Sequence, residues 1–211
     1  MTQAQTDREQ LIDSLVGAEW AFFQNVNNVG GRASCQDMPQ TFSVMRRSQF
    51  AIWPDEALAS YQADLDRALV EGRNPLAEKY GYMMESTHPD EYAQIKGDLP
   101  AVSPQKAELV EKIVAIQVGW ATEMAQRYPH FMRHGRPLHT SDDRLGTSIE
   151  TYSRGELKTY SEATLQLIYQ RFSEAQAEGV NLQEQSDEAQ VRMLGYASLA
   201  AAEKTAASGS R

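Results

Sequence analysis

The chain of 211 residues carries 20 Lys and Arg against 29 Asp and Glu, a formal charge of −9, with 41% hydrophobic and 23% charged residues. That apolar share is enough for a core, and the acidic balance disfavours phosphate backbones and anionic lipid, arguing against nucleic-acid or membrane-surface partners. A lone Cys35 leaves no internal disulfide or cysteine-rich zinc cage; with a polar first segment, MTQAQTDREQ, and no apolar run of about 20 residues, the expectation is a cytoplasmic protein without a membrane span.

Thr6 and Glu9 fit a capping box, and Leu11, Leu15, Ala18 and Phe22 recur at helical spacing, predicting a first helix over 7–27 that Gly30-Gly31 ends. Residues 33–38 read as a loop before a second helix over 39–52. Pro54 suits the first turn of a third helix ending near Gly72. Asn74-Pro75 opens a fourth through Met84, Ser86 to Asp90 breaks it, and 89–95 forms a short helix. After a loop at 99–104, residues 104–127 give the best-defined helix, with Leu109, Ile113, Ile116, Trp120 and Met124 on one apolar face. The segment 129–145, rich in Pro, Gly, Asp and Ser, reads as a long functional loop with room for one helical turn. Helix resumes over 147–177 with a kink at Gly155, Gly179 stops it, and Ser186 caps a last helix to about Ala206. No run alternates long enough for a sheet. The expectation is an all-α, single-domain bundle of about six to eight helices, ordered over about 6–206.

Three segments carry more polar chemistry than packing needs. In 147–161, Glu150 and Arg154 stand four apart and can pair, while Tyr152, Glu156 and Tyr160 share another helical face. A carboxylate beside a phenol is an arrangement that general acid–base chemistry uses; the plainer reading is a solvated helix with one ion pair. A second segment joins Gly30, Gly31, Arg32, Gln36 and Asp37 to Arg46-Arg47. Here Arg32 or Arg46 is the candidate clamp for a carboxylate or phosphate, against the plainer reading of a helix terminator and an amphipathic helix. Cys35 is a nucleophile only if a base lies beside it, and otherwise a small core residue. The third segment, 72–85, contributes Glu78 and Lys79, with Glu78 near Tyr82 and two turns from Glu85.

Metal chemistry has less support. Glu85-x-x-His88 has no second copy, as a carboxylate-bridged bundle would require. Glu19 and Glu123 lie on apolar faces and read as residues at the stripe's edge. His130, His134 and His139 are clustered, but position 131 is Phe, so the Glu of a zinc-protease motif is missing. No metal site is predicted, no motif names a cofactor, and dinucleotide, P-loop and serine-hydrolase signatures are lacking.

At these polar segments the chain resembles a bacterial domain-of-unknown-function family, four-one-two-five. The matching residues are Gly30-Gly31-Arg32-Ala33 with Cys35-Gln36-Asp37, Met45-Arg46 with Ser48-Gln49-Phe50, and Gly72-Arg73-Asn74 with Glu78-Lys79-Tyr80. Gly135-Arg136-Pro137-Leu138, Glu150-Thr151-Tyr152, Gly155-Glu156-Leu157 and Thr159-Tyr160-Ser161 complete the pattern, which spans most of the chain. The resemblance implies no activity or cofactor, only that the polar segments belong together. The leading expectation is an acid–base enzyme acting on a small anionic substrate. Arg32, Gln36, Asp37, Arg46, Glu78, Lys79 and Arg154 would bind the substrate, and Glu150, Tyr152, Glu156 and Tyr160 would do the chemistry. The alternatives are a non-catalytic module for a small molecule or a partner, and a metal-dependent oxidase. Nothing in the sequence fixes an oligomeric state.

Overall fold

The computed structural model describes residues 2–27, 31–133 and 135–209. Those residues are all-helical with no strand: eleven α-helices and two 3-10 turns. In chain order the helices are α1 Gln3–Gln24, α2 Pro39–Ala51, α3 Asp55–Val70, α4 Pro75–Thr87, α5 Pro89–Ile95, α6 Pro104–Arg127, α7 Pro129–Met132, α8 Ile149–Leu157, α9 Glu162–Ala177, α10 Leu182–Met193 and α11 Leu199–Ser208. The 3-10 turns are Ser34–Asp37 and Thr140–Leu145. None of the described helices is long and apolar enough to cross a membrane.

Eleven helices exceed the six to eight expected because cap residues split two of the expected helices and the short α7 forms in the expected loop. The segment 147–177 holds two helices, and the break falls at 158–161 rather than at Gly155. Ser161 caps α9 by accepting from the Thr164 amide, and the buried Asp64 carboxylate of α3 accepts from the Ser161 amide at 2.9 Å and the Thr164 hydroxyl at 2.7 Å. A new helix therefore starts there. The expected last helix is likewise two. Asn181 caps α10 and Ser198 caps α11, while Ser186 is buried inside α10. Gly195, at φ 92°, turns the chain between them, with the Tyr196 amide donating back to the Val191 carbonyl at 2.9 Å.

Smaller corrections have similar causes. The first capping box is Thr2 with Gln5, so Thr6 and Glu9 lie within α1, and α1 ends at Gln24 rather than 27. Gly30 lies outside the described residues. Pro54 is the cap of α3 rather than part of its first turn. Helix α4 continues through Ser86 to Thr87. The long segment 129–145 contains both α7 and the second 3-10 turn.

The principal core gathers Leu15, Phe50, Trp53, Leu58, Tyr61, Leu65, Ile113, Trp120, Tyr160, Leu165, Ile168 and Phe172. Helix α6 packs on α8 and α9, α3 on α1 and α9, and α4 on α1 and α8. The α4–α8 contact decides where the polar segments meet. Gly155 faces α4 so closely that an added Cβ would stand 2.6 Å from Met83 Cγ and 2.9 Å from the Lys79 carbonyl oxygen. Glycine is there for close approach of two helices, which places Glu156 beside Lys79.

Gly155→Ala should therefore lower the unfolding free energy by about 1–3 kcal/mol through overpacking, a fall of roughly 3–10 °C in Tm for a chain of this size. Gly119→Ala is the control, since no atom outside its own helix lies within 4 Å of an added Cβ in α6. It should leave Tm level or raise it, because Ala favours helix over Gly by about 0.5–1 kcal/mol. Differential scanning calorimetry of both variants measures the contrast.

Candidate functional site

Four charged side chains from four helices meet in the interior. Glu19 of α1 is 1% exposed, Arg46 of α2 6%, Lys79 of α4 3% and Glu156 of α8 5%. Arg46 grips Glu19 through two nitrogens, Nε to Oε2 at 2.5 Å and Nη2 to Oε1 at 2.6 Å. Its third nitrogen, Nη1, donates to Glu156 Oε1 at 2.9 Å. Lys79 Nζ donates to the other Glu156 oxygen at 2.6 Å. Two cations thus balance two anions, the condition on which buried charge depends.

Neutral donors complete the set. Gln49, one turn from Arg46, accepts from Arg46 Nη1 and donates to Glu156 Oε1 at 2.9 Å. The Tyr160 hydroxyl donates to the same oxygen at 2.6 Å, and the Tyr61 hydroxyl donates to Glu19 Oε1 at 2.7 Å. Glu156 therefore accepts three hydrogen bonds on one oxygen and one on the other. Burial works to raise its pKa, but Arg46 and Lys79 outweigh it and hold the carboxyl well below the usual carboxylate range. Burial, reinforced by Glu156, pushes the Tyr160 phenol up, and burial with Glu19 does the same to Tyr61. For Lys79, burial opposes the charge and Glu156 restores it, so the ammonium stays protonated.

A cavity of about 230 Å³ opens against this group. Glu19, Arg46, Lys79 and Glu156 are its charged lining. Its aromatic and aliphatic lining is Phe23, Phe42 and Tyr80, with Met38 and Met45. Phe23 and Phe42 stack with centroids 5.4 Å apart. Tyr152 also lines the cavity, and its ring carries two cations, Lys79 Nζ at 3.6 Å and the Arg136 guanidinium at 4.3 Å from the centroid. Arg136 donates to the Thr147 carbonyl at 3.1 Å, and no carboxylate of the described residues lies within 4 Å of it.

The expected site residues separate into groups. Arg46, Lys79, Tyr152 and Glu156 line the cavity, and Tyr160 stands behind Glu156. Glu150 and Arg154 do pair, at 2.9 Å, but with Glu111 they form a part-exposed cluster outside the cavity lining. Arg32 holds Asp37 at 2.9 Å and the Gln36 carbonyl at 2.7 Å. The buried Gln36 side chain donates to the Phe23 and Val26 carbonyls at the end of α1. These three brace the segment that carries Cys35 and Met38 into the lining rather than lining it themselves. Cys35 is exposed, not a core residue. Glu78 turns the other way and takes both of its contacts from Arg73 Nη1, each at 3.0 Å.

Glu19, Gln49, Tyr61 and Arg136 were missed. Glu19 had a signal, since it sits among Leu15, Phe22 and Phe23; the edge reading fails for it and holds for the exposed Glu123. His88 is exposed and bonds to Thr87, Glu85 pairs with Lys158 at 2.6 Å, and His134 lies outside the described residues. No group of three or more metal-binding side chains gathers among the described residues.

The family model for a protein of unknown function, DUF4125, matches residues 9–204. The chain belongs to this family. No curated protein and no solved structure matches it. Several of the residues that carry the resemblance share one piece of geometry. Met45-Arg46, Lys79-Tyr80, Tyr152 and Glu156 are cavity-lining positions, and Gly155 sets the helix approach that brings the last of them there.

Glu156→Gln should destabilise the protein by about 3–5 kcal/mol, because it leaves Arg46 and Lys79 sharing one buried carboxylate. A carboxyl depressed in the folded state adds stability above its unfolded value of about 4.3 and loses it as pH falls through the folded value. The Tm gap between wild type and variant should be widest near neutral pH and should narrow below about pH 4. Melting curves recorded from pH 7 to pH 3 check both size and direction.

Proposed function

We propose that DUF4125 proteins of this kind are small-molecule-binding helical modules whose cavity takes an organic anion with an apolar or aromatic body. The observation that carries the reading is a lining that joins apolar and charged groups. Phe23, Phe42, Tyr80, Met38 and Met45 suit a hydrocarbon or ring. The same cavity is lined by three cations, Arg46, Lys79 and Arg136, and two carboxylates, Glu19 and Glu156. Both carboxylates are committed to Arg46 and Lys79, so Arg136 is the cation with charge to spare. A carboxylate or phosphate beside Tyr152 would face Arg136 and the remaining N–H groups of Lys79.

Binding is preferred to acid–base turnover because of what Glu156 is already doing. A general base needs an accessible lone pair and a pKa near the working pH. Glu156 receives four donors and holds its charge well below the carboxylate range. In this proposal Glu156 and Tyr160 fix the cavity wall, and Lys79, Tyr152 and Arg136 meet the ligand.

A panel of aryl carboxylates and aryl phosphates, each with its neutral amide or alcohol analogue, tests the proposal by thermal shift and titration calorimetry. Benzoate-like anions should raise Tm while benzamide-like analogues do not. Arg136→Ala should weaken anion binding by about 10–100-fold, the loss of one charge-assisted contact, with little change in the unliganded Tm. Equal shifts from neutral analogues, an unaffected Arg136→Ala protein, or no response to any anion would count against it.

A further inference from the structure

A second cavity, of about 300 Å³, lies on the far side of Tyr61, Pro75 and Thr159, the three residues that line both spaces. Its character differs from the first. Arg67, Arg73, Lys106 and Lys158 face it, together with Asp64, Glu71 and Glu78. The question is which of these groups still has bonding capacity.

Most acceptors are engaged, with Asp64 Oδ1 and Glu71 Oε1 the least committed. Asp64 Oδ2 takes the Ser161 amide and the Thr164 hydroxyl, and its other oxygen lies 3.6 Å from Arg67. Both Glu78 oxygens take Arg73 Nη1 at 3.0 Å, and Glu71 takes Arg73 Nε at 2.8 Å. The donors are not spent. Arg73 Nη2 has no partner among the described residues, and Arg67 has only its long contact to Asp64. Lys158 is engaged with Glu85. Lys106 is the decisive group: half-buried against the cavity, its ammonium has no carboxylate within 4 Å among the described residues.

We propose that this second cavity is a binding site for a compact, hydrophilic, multiply charged anion, a small phosphomonoester, with Lys106 as its central contact and Arg73 and Arg67 as flanking donors. The unpaired N–H groups of Lys106, Arg73 Nη2 and Arg67 favour an anion, and a guanidinium edge beside an ammonium suits the oxygens of a phosphate. Beside Leu65, Pro75, Pro100 and the two Tyr rings, the lining is mainly of charged side chains, which suits a small hydrophilic body. The volume stands at the lower end for small-molecule sites. Burial, with Arg73 nearby, pushes the Lys106 pKa down from its ordinary value, and Asp64, Glu78 and Glu162 do not offset it. A bound dianion would give the ammonium a direct partner. The net charge of −9 makes diffuse anion adsorption unfavourable, so binding here would report these local donors.

The test is a titration of the full chain with glycerol 1-phosphate at constant ionic strength, followed by calorimetry and by ³¹P line broadening. Wild type should bind, Lys106→Met should weaken binding at least tenfold, and Lys106→Arg should retain it within about threefold, since Arg keeps the charge and the donors. Arg136→Ala should bind the phosphate as wild type does, which separates this site from the first cavity. A footprint on unmutated protein guards against misfolding: glycerol 1-phosphate should slow acetylation of Lys106 but not of the exposed Lys112. No binding by wild type, equal binding by Lys106→Met, or unprotected Lys106 overturns the proposal. Loss of binding with Arg136→Ala but not with Lys106→Met overturns it too, by moving the anion to the first cavity.

Discussion

The charge on Glu156 is tenable inside the bundle only because Arg46 and Lys79 reach it from two other helices. An unpaired carboxylate there would lose several kcal/mol of hydration with nothing in return. Arg46 in turn needs Glu19, because one arginine shared by Glu156 alone would leave the interior short of negative charge once Lys79 is counted. This closed account ties α1, α2, α4 and α8 into one arrangement. Apolar side chains can slide past one another at modest cost, whereas a four-charge group with fixed donors and acceptors has few alternative registers.

The same group shapes both cavities. It supplies the charged lining of the first, where Lys79 and Arg136 crowd onto the Tyr152 ring. Behind it, the tilted rings of Tyr61 and Tyr160, centroids 4.6 Å apart, line the second with Pro75 and Thr159. Tyr61 serves both roles at once: its hydroxyl satisfies Glu19 and its ring belongs to the core with Phe50 and Trp53. Cavities kept open beside a rigid ionic group are suited to ligands, since the polar contacts are preorganised before anything binds.

Much of this was legible in the sequence. Helical period and Pro-led first turns located most elements, with α5 and α6 at their expected bounds. The polar segments around Arg46, Lys79 and Glu156 stood out because ionisable groups there broke the expected economy of buried helix. What stayed hidden has a common reason. A glutamate such as Glu19 on an apolar face looks the same whether it sits at the stripe's edge or opposite a buried arginine from another helix. Conversely, Glu150 and Arg154 met at helical spacing as expected, but the spacing says nothing of which way their face turns, and it turns to the surface. Gly155 looked like a weak point in a long helix, and only the position of α4 reveals it as a close approach.

The most direct measurement is a double-mutant cycle on the unfolding free energy across Lys79 and Glu156, using Lys79→Met, Glu156→Leu and the pair together. Removing both leaves Arg46 and Glu19 as a balanced pair, so the double variant should lose markedly less than the sum of the singles, with a coupling of about 2–3 kcal/mol. Losses that add to within about 0.5 kcal/mol would mean the two side chains act independently, and the four-charge group would not be what holds these helices in place.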